Sequence, residues 1–218
     1  MSKCFFIFFC FYLFSQFPFH IAHAADDPDT PVLENTVSDP ELIAELKKGG
    51  YILYFRHGIT NHDTFDTDRN NLKNCNTQRL LSDEGREQMK RIGNVVKQLK
   101  INIGDVVSSP YCRSIDTATL AFGETAIDEY LKHTVTASEE TVKKQAQALS
   151  QMLSKIPERE GSNDIISGHT ANLQEATGIW PKPEGVAIVF KPKGNGLYEY
   201  IATIHPDHWE KLLEIDKN

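Results

Sequence analysis

A chain of 218 residues, 40% hydrophobic and 24% charged, holds apolar material for one core of ordinary size and excludes two. Its formal charge of −7 disfavours a generic binder of nucleic acid or other polyanions. Eight of the twelve Phe fall within the first nineteen residues, so they do not belong to the core.

Lys3, the apolar run over residues 4–19 and Ala22-His23-Ala24 follow the charged, apolar and small-x-small order of a secretory signal peptide, with cleavage before Ala25. Ser15, Gln16 and Pro18 interrupt the run, which is shorter than the roughly 20 residues that span a bilayer. The expected location is secreted or periplasmic, with no transmembrane anchor after cleavage. The remaining chain has 22 cations against 30 anions and two cysteines, Cys75 and Cys112. An oxidising compartment favours their pairing, but only geometry separates a disulfide from two independent buried thiols.

Residues 25–37 are acidic, Pro-containing and aperiodic, and read as a tether before one domain over 38–218. Ser38 and Glu41 have capping-box spacing, Pro40 suits a first helical turn, and Leu42, Ile43 and Leu46 share a face before Gly49-Gly50 stops the helix. A β-rich run over 51–55 ends in Arg56-His57-Gly58. The long polar segment 59–80 has no period, which marks it as functional or disordered. Ser82 caps a helix carrying Met89, Ile92, Val95, Val96 and Leu99; a strand is expected over 105–108 and a helix over 111–122.

Further on, Val142, Ala146, Leu149 and Leu153 recur in a helix expected over 136–153, followed by a strand at 164–167 and a short helix at 171–177. The β-rich runs 186–190 and 197–204 flank Lys193-Gly194-Asn195-Gly196 as a hairpin, and 208–215 closes as a helix. This order predicts an α/β fold, a three-layer sandwich with a mostly parallel central sheet, which binds ligands beyond the carboxyl ends of its strands. Three such ends carry Arg56-His57, Ser108-Ser109-Pro110-Tyr111-Cys112-Arg113 and Gly168-His169.

Two histidines and two arginines at strand ends suit one chemistry. Guanidinium groups match phosphate oxygens, and a neutral imidazole is a nucleophile able to carry a phosphoryl group. Phosphoryl transfer asks mainly for positioning and for charge around the equatorial oxygens. The neighbouring guanidinium charges also lower the imidazole pKa and keep one ring nitrogen free. No metal or other cofactor is required, because the arginines supply that charge.

Arg56-His57-Gly58-Ile59-Thr60, then Ser108-Ser109-Pro110 with Arg113 and Thr117-Ala118, then Gly168-His169, resemble the three signature blocks of the histidine phosphatase superfamily, with its phosphoglycerate-mutase-like fold, over roughly residues 51–191. The resemblance implies that His57 becomes a phosphohistidine, Arg56 and Arg113 clamp the phosphate, and His169 bonds its oxygens. Thr60 and Arg79 are the further substrate-binding candidates. With its leader and its Cys75-Asn76-Thr77-Gln78-Arg79 stretch, the chain looks most like the small exported members, including those proposed to act on lipopolysaccharide core phosphates. The implied partner is a small phosphorylated compound, sugar- or lipopolysaccharide-linked molecules among them.

The chain departs from its relatives at Ile59 and Asp63, and in having Thr170 where some carry the acid that protonates the leaving group. Glu184 ranks first as that donor, because a strand beginning just after it and running antiparallel would start beside the catalytic loops; Glu139, Glu140 and Glu124 are the alternatives. Asp66, Asp68 and Asn70 match the first three ligands of a calcium loop, but Asn71 and Thr77 break the template, so the segment reads as a polar lid or substrate-selecting loop. His205 and His208 lack a third metal ligand. The expected activity is metal-independent phosphomonoester hydrolysis. A catalytically silent phosphate-binding module and a phosphomutase are the alternatives.

Overall fold

The computed structural model describes residues 33–218; the expected signal peptide and residues 25–32 of the expected tether lie outside the described residues. Residues 33–37 lie along the last strand of the sheet: the Thr36 amide donates to the Ile201 carbonyl at 2.8 Å and the Thr203 amide to Asn35 Oδ1 at 2.8 Å. This part of the tether is therefore docked against the domain.

Helix α1 (Asp39–Lys48) begins at the Ser38–Glu41 capping box and ends at Gly49, whose φ of 81° a side chain would resist. Strand β1 is Ile52–Arg56, α2 is Asp83–Gln98 with Ser82 Oγ accepting the Gly85 amide, and β2 is Ile103–Ser108. Helix α3 (Cys112–Phe122) leads to the two-residue edge strand β3 (Ala126–Ile127) and a 3-10 turn at Glu129–Leu131. Neither of these short elements has a periodic signature. Helix α4 (Glu139–Ser154) starts three residues later than its apolar period predicts, because a turn closes from Ala137 N to the Thr134 carbonyl and Ser138 then caps the Thr141 amide.

Strand β4 (Asn163–Gly168), α5 (Thr170–Thr177), β5 (Ala187–Gly194), β6 (Leu197–Ile204) and α6 (His208–Asp216) complete the domain. Asn195 and Gly196 turn the β5–β6 hairpin with φ of 53° and 78°, the sign a type I′ turn requires at both positions.

The strands form one six-stranded sheet in the order β3-β2-β4-β1-β5-β6. β1, β2, β3 and β4 run parallel, while β5 is antiparallel to β1 and to β6. Period-two alternation divides the core between the two sheet faces. Leu53 and Phe55 pack with apolar residues of α1, α2 and α6, whereas Ile52 and Tyr54 pack with Leu149, Leu153 and Leu173 of α4 and α5. The result is the expected three-layer α/β sandwich.

The register positions the site. Arg56 stands opposite Gly168, and Ser108 opposite Ser167, so the residues that follow β1, β2 and β4 emerge at one edge. Because β5 runs the other way, with Ala187 opposite Phe55, its beginning and the preceding Glu184 lie at that same edge.

Candidate active site

His57 is buried at the end of β1. Its amide donates to the Gly168 carbonyl at 3.0 Å, and its carbonyl accepts the Gly185 amide at 2.9 Å. The Nδ1 atom lies 3.0 Å from the Gly58 carbonyl oxygen. A carbonyl only accepts, so this contact puts the ring proton on Nδ1 and leaves the Nε2 lone pair free. The Gly58 amide donates to Thr117 Oγ1 at 2.9 Å, and that hydroxyl donates to the Arg113 carbonyl at 2.7 Å, which ties the loop after β1 to α3.

His169 follows β4, with its ring centroid 5.5 Å from that of His57. Its carbonyl accepts the Tyr54 hydroxyl at 2.8 Å, and its Nε2 lies 2.9 Å from Ser109 Oγ. Ser109 Oγ also accepts the Tyr111 amide; in the tautomer in which its hydroxyl donates to Nε2, the His169 proton resides on Nδ1. That Nδ1 is buried without a partner, as are the Nε atoms of Arg56 and Arg113.

The two arginines are each held by a carboxylate. Arg56 donates from Nη1 to the Pro181 carbonyl at 3.2 Å and from Nη2 to Glu184 Oε1 at 3.4 Å. Arg113, 1% exposed, donates from Nη1 to both oxygens of Asp66 at 2.9 and 3.3 Å, while its guanidinium carbon lies 4.4 Å from the centre of the Tyr111 ring. Asp66 also accepts the Arg79 amide at 3.0 Å. An acidic oxygen of the long loop thus rests on the guanidinium assigned to phosphate.

Glu184 is buried at this edge. It accepts the Thr60 amide at 3.0 Å and the Thr60 hydroxyl at 2.9 Å, and its Oε1 is 3.9 Å from His57 Nδ1. The exposed His62 ring approaches its other oxygen at 3.3 Å. Glu124, Glu139 and Glu140 are exposed; the last two begin α4, and Glu140 pairs with Lys144. Of the four carboxylates considered from the sequence, the fold brings Glu184 alone to the His57 edge.

The long loop 61–80 is pinned rather than loose. Cys75 and Cys112 form a disulfide with Cα atoms 5.8 Å apart, joining the loop to the first residue of α3 next to Arg113. Gln78 reinforces the joint, its Oε1 accepting the Cys112 amide at 3.0 Å and its Nε2 donating to the Leu72 carbonyl at 2.8 Å. Beside Arg113 lies a cavity of about 190 Å³, lined by Asp66, Arg69, Arg79, Tyr111 and His133 among others. Arg79 thus faces the cavity and Thr60 faces Glu184. The sequence reading missed Asp66 as the partner of Arg113, and it missed His133 altogether; no period or motif singles out either residue.

Burial first, and then the Arg113 charge, hold the pKa values of His57 and His169 well below the ordinary imidazole value of 6.5. The same two causes lower that of His133 to about 4. Below about pH 6.5 the unfolded chain therefore takes up protons that these three folded histidines refuse. Stability is expected to be full above pH 6.5 and to fall on acidification, by up to about 1.4 kcal/mol per pH unit for each histidine. Urea midpoints at pH 7, 6 and 5 measure this; a flat profile would contradict the neutral assignment.

Residues 52–135 match the family model described as histidine phosphatase superfamily (branch 1), a segment that includes His57, Arg113 and His133. The solved structure of the protein histidine phosphatase SixA complexed with tungstate is similar with a TM-score of 0.51 and 14% identity, covering 72% of this chain and 98% of that one. A phosphoserine phosphatase mutant from Entamoeba histolytica, in complex with phosphoserine, gives a TM-score of 0.53 and 15% identity over 72% of this chain and 98% of its own. At these identities the likenesses bear on the fold. No curated protein matches the chain. Among the described residues no helix is long and apolar enough to cross a membrane. The segment that matches the family model carries His57 and Arg113, two of the four residues on which the resemblance in the sequence rests.

Proposed function

We propose that the chain hydrolyses small phosphate monoesters without a metal ion, through a phosphohistidine on His57. The observation that carries this reading is that three side chains of the candidate site, Arg56, Arg113 and His169, each keep a buried ring or guanidinium nitrogen that no protein group satisfies, Nε, Nε and Nδ1. An unmet buried donor costs about 1–3 kcal/mol; the charges of both arginines act on the neutral His57 ring, and the His169 ring lies beside it. A phosphoryl group supplies the several acceptor oxygens they lack.

In the proposed reaction His57 Nε2 attacks phosphorus and the P–O ester bond breaks, while Arg56, Arg113 and His169 hold the equatorial oxygens. The leaving alkoxide takes the proton of a Glu184 carboxyl that enters the step protonated. The resulting carboxylate takes a proton from the water that then attacks the phosphohistidine, releasing phosphate and restoring both the imidazole and the Glu184 carboxyl. Engagement of Arg113 by phosphate replaces its contact with Asp66, so the loop carboxylate gives way as substrate enters. Arg79 and Thr60 are the proposed further substrate contacts.

Hydrolysis of p-nitrophenyl phosphate in EDTA tests the metal-independent reading. Persistence of activity supports it, and phosphate binding without turnover would point instead to a silent binding module. Glu184→Gln is expected to slow alkyl esters about 10²-fold and p-nitrophenyl phosphate far less, since a nitrophenolate leaves without a proton. Equal slowing of both would make Glu184 a positioning residue for Arg56 and Thr60. The leader read over residues 1–24 argues for an exported enzyme, for which phosphorylated sugars and lipopolysaccharide fragments are the substrates to screen first.

A further inference from the structure

His133 lies outside the three signature blocks, yet three elements position it. The carbonyl of Lys132, just before it, accepts Gln145 Nε2 of α4 at 3.1 Å and Asn172 Nδ2 of α5 at 2.7 Å. Both amides come from buried side chains. The preceding Leu131 is fully buried among Leu149, Leu153 and Leu173. Two buried amides on one carbonyl, beside an apolar anchor, fix the backbone at this point more firmly than an ordinary surface connection requires.

The ring is oriented as well. Its centroid is 4.8 Å from that of His169 and 6.4 Å from that of Tyr111, so the imidazoles of His57, His169 and His133 form a row. The Val135 amide donates to His133 Nδ1 at 3.2 Å. That nitrogen must therefore be the acceptor, and the ring proton sits on Nε2. Nε2 has no protein partner among the described residues, and the ring lines the cavity beside Arg113. Burial and the Arg113 charge keep it neutral down to about pH 4, so it serves as a fixed, uncharged donor.

We propose that His133 is a specificity-determining residue whose Nε2–H bonds an oxygen on the alcohol portion of the substrate, so that the site prefers monoesters of oxygen-rich alcohols, polyols or sugars, over those of plain hydrocarbon alcohols. This rests on the phosphatase reading for the phosphate seat and goes beyond it to what lies outside the seat. Arg79, Arg69 and Thr136 share the lining with the apolar Phe65 and Val135, which leaves the oriented His133 N–H as the donor that discriminates. An alcohol without acceptors would cover it with nothing to receive its proton, and a site built to hydrogen-bond a hydroxyl rejects an analogue that lacks it.

Titration calorimetry with two non-hydrolysable ligands, 2,3-dihydroxypropylphosphonate and propylphosphonate, isolates this contact from the chemical step. The intact protein is expected to bind the dihydroxy ligand about tenfold more tightly, the scale of one hydrogen bond. In His133→Leu the ratio is expected to fall to near one, and in His133→Gln, which keeps an N–H at a comparable reach, to recover in part. Thermal unfolding of each variant reports on its fold. A ratio near one in the intact protein, or an unchanged ratio in His133→Leu, would overturn the role of His133 while leaving the phosphate seat in place. If neither phosphonate binds, the seat and His133's role fall together. The expected ratios without turnover of any phosphate ester support His133 and end the phosphatase reading alone.

Discussion

Replacement of His57 by Ala is expected to lower kcat/KM for p-nitrophenyl phosphate by at least about 10⁴-fold, with the fold intact. That is more than about 5 kcal/mol of transition-state stabilisation, which follows from what the ring supplies. In the proposed reaction it is the nucleophile itself, and its proton is fixed on Nδ1 by the Gly58 carbonyl. Its neutrality is maintained by burial and the Arg113 charge. Arg56, Arg113 and His169 would still bind phosphate in the variant, so inorganic phosphate is expected to remain a ligand. Activity within tenfold of the unaltered protein would remove His57 from the chemistry.

Arg113→Leu has the second-largest expected effect, and it acts on two quantities. Losing an arm of the clamp is expected to cost about 10²–10³-fold in kcat. Losing the partner of Asp66 leaves a largely buried carboxylate without its counter-charge, for about 3 kcal/mol of stability. The two effects separate in the double variant Arg113→Leu/Asp66→Leu. Removing the whole pair is expected to restore most of the stability and none of the activity, as read from urea unfolding and steady-state rates. Recovery of activity in the double variant would show that Asp66, rather than the absent guanidinium, limits the single one.

The residues most legible in the sequence are those whose role is fixed by their place on an element. Arg56-His57 closes an apolar strand, Gly168-His169 closes another, and Arg113 sits in the first turn of a helix entered from Ser-Ser-Pro; an α/β sheet brings such ends together by topology alone. Glu184 was reachable by the same reasoning, because an antiparallel β5 begins where β1 ends.

Asp66 and His133 were not reachable that way. Asp66 meets Arg113 across 47 residues from an aperiodic loop, which the Cys75–Cys112 bond and the Gln78 contacts hold against α3. His133 follows a single 3-10 turn and is oriented by Gln145 and Asn172 through the Lys132 carbonyl, polar side chains that read in sequence as ordinary helix surface. The late start of α4 has a similar origin, since a local turn at Thr134 competes with the apolar period.

The proposed reaction passes through a covalent intermediate at one imidazole. Rapid acid-free quenching of the protein with a phosphate monoester, followed by peptide mapping under alkaline conditions that preserve phosphohistidine, tests it directly. The predicted result is an acid-labile phosphoryl group on the peptide containing His57, formed within a single turnover and absent from His57→Ala. A phosphoryl group on any other residue, or turnover with no phosphoenzyme at any time, would contradict it.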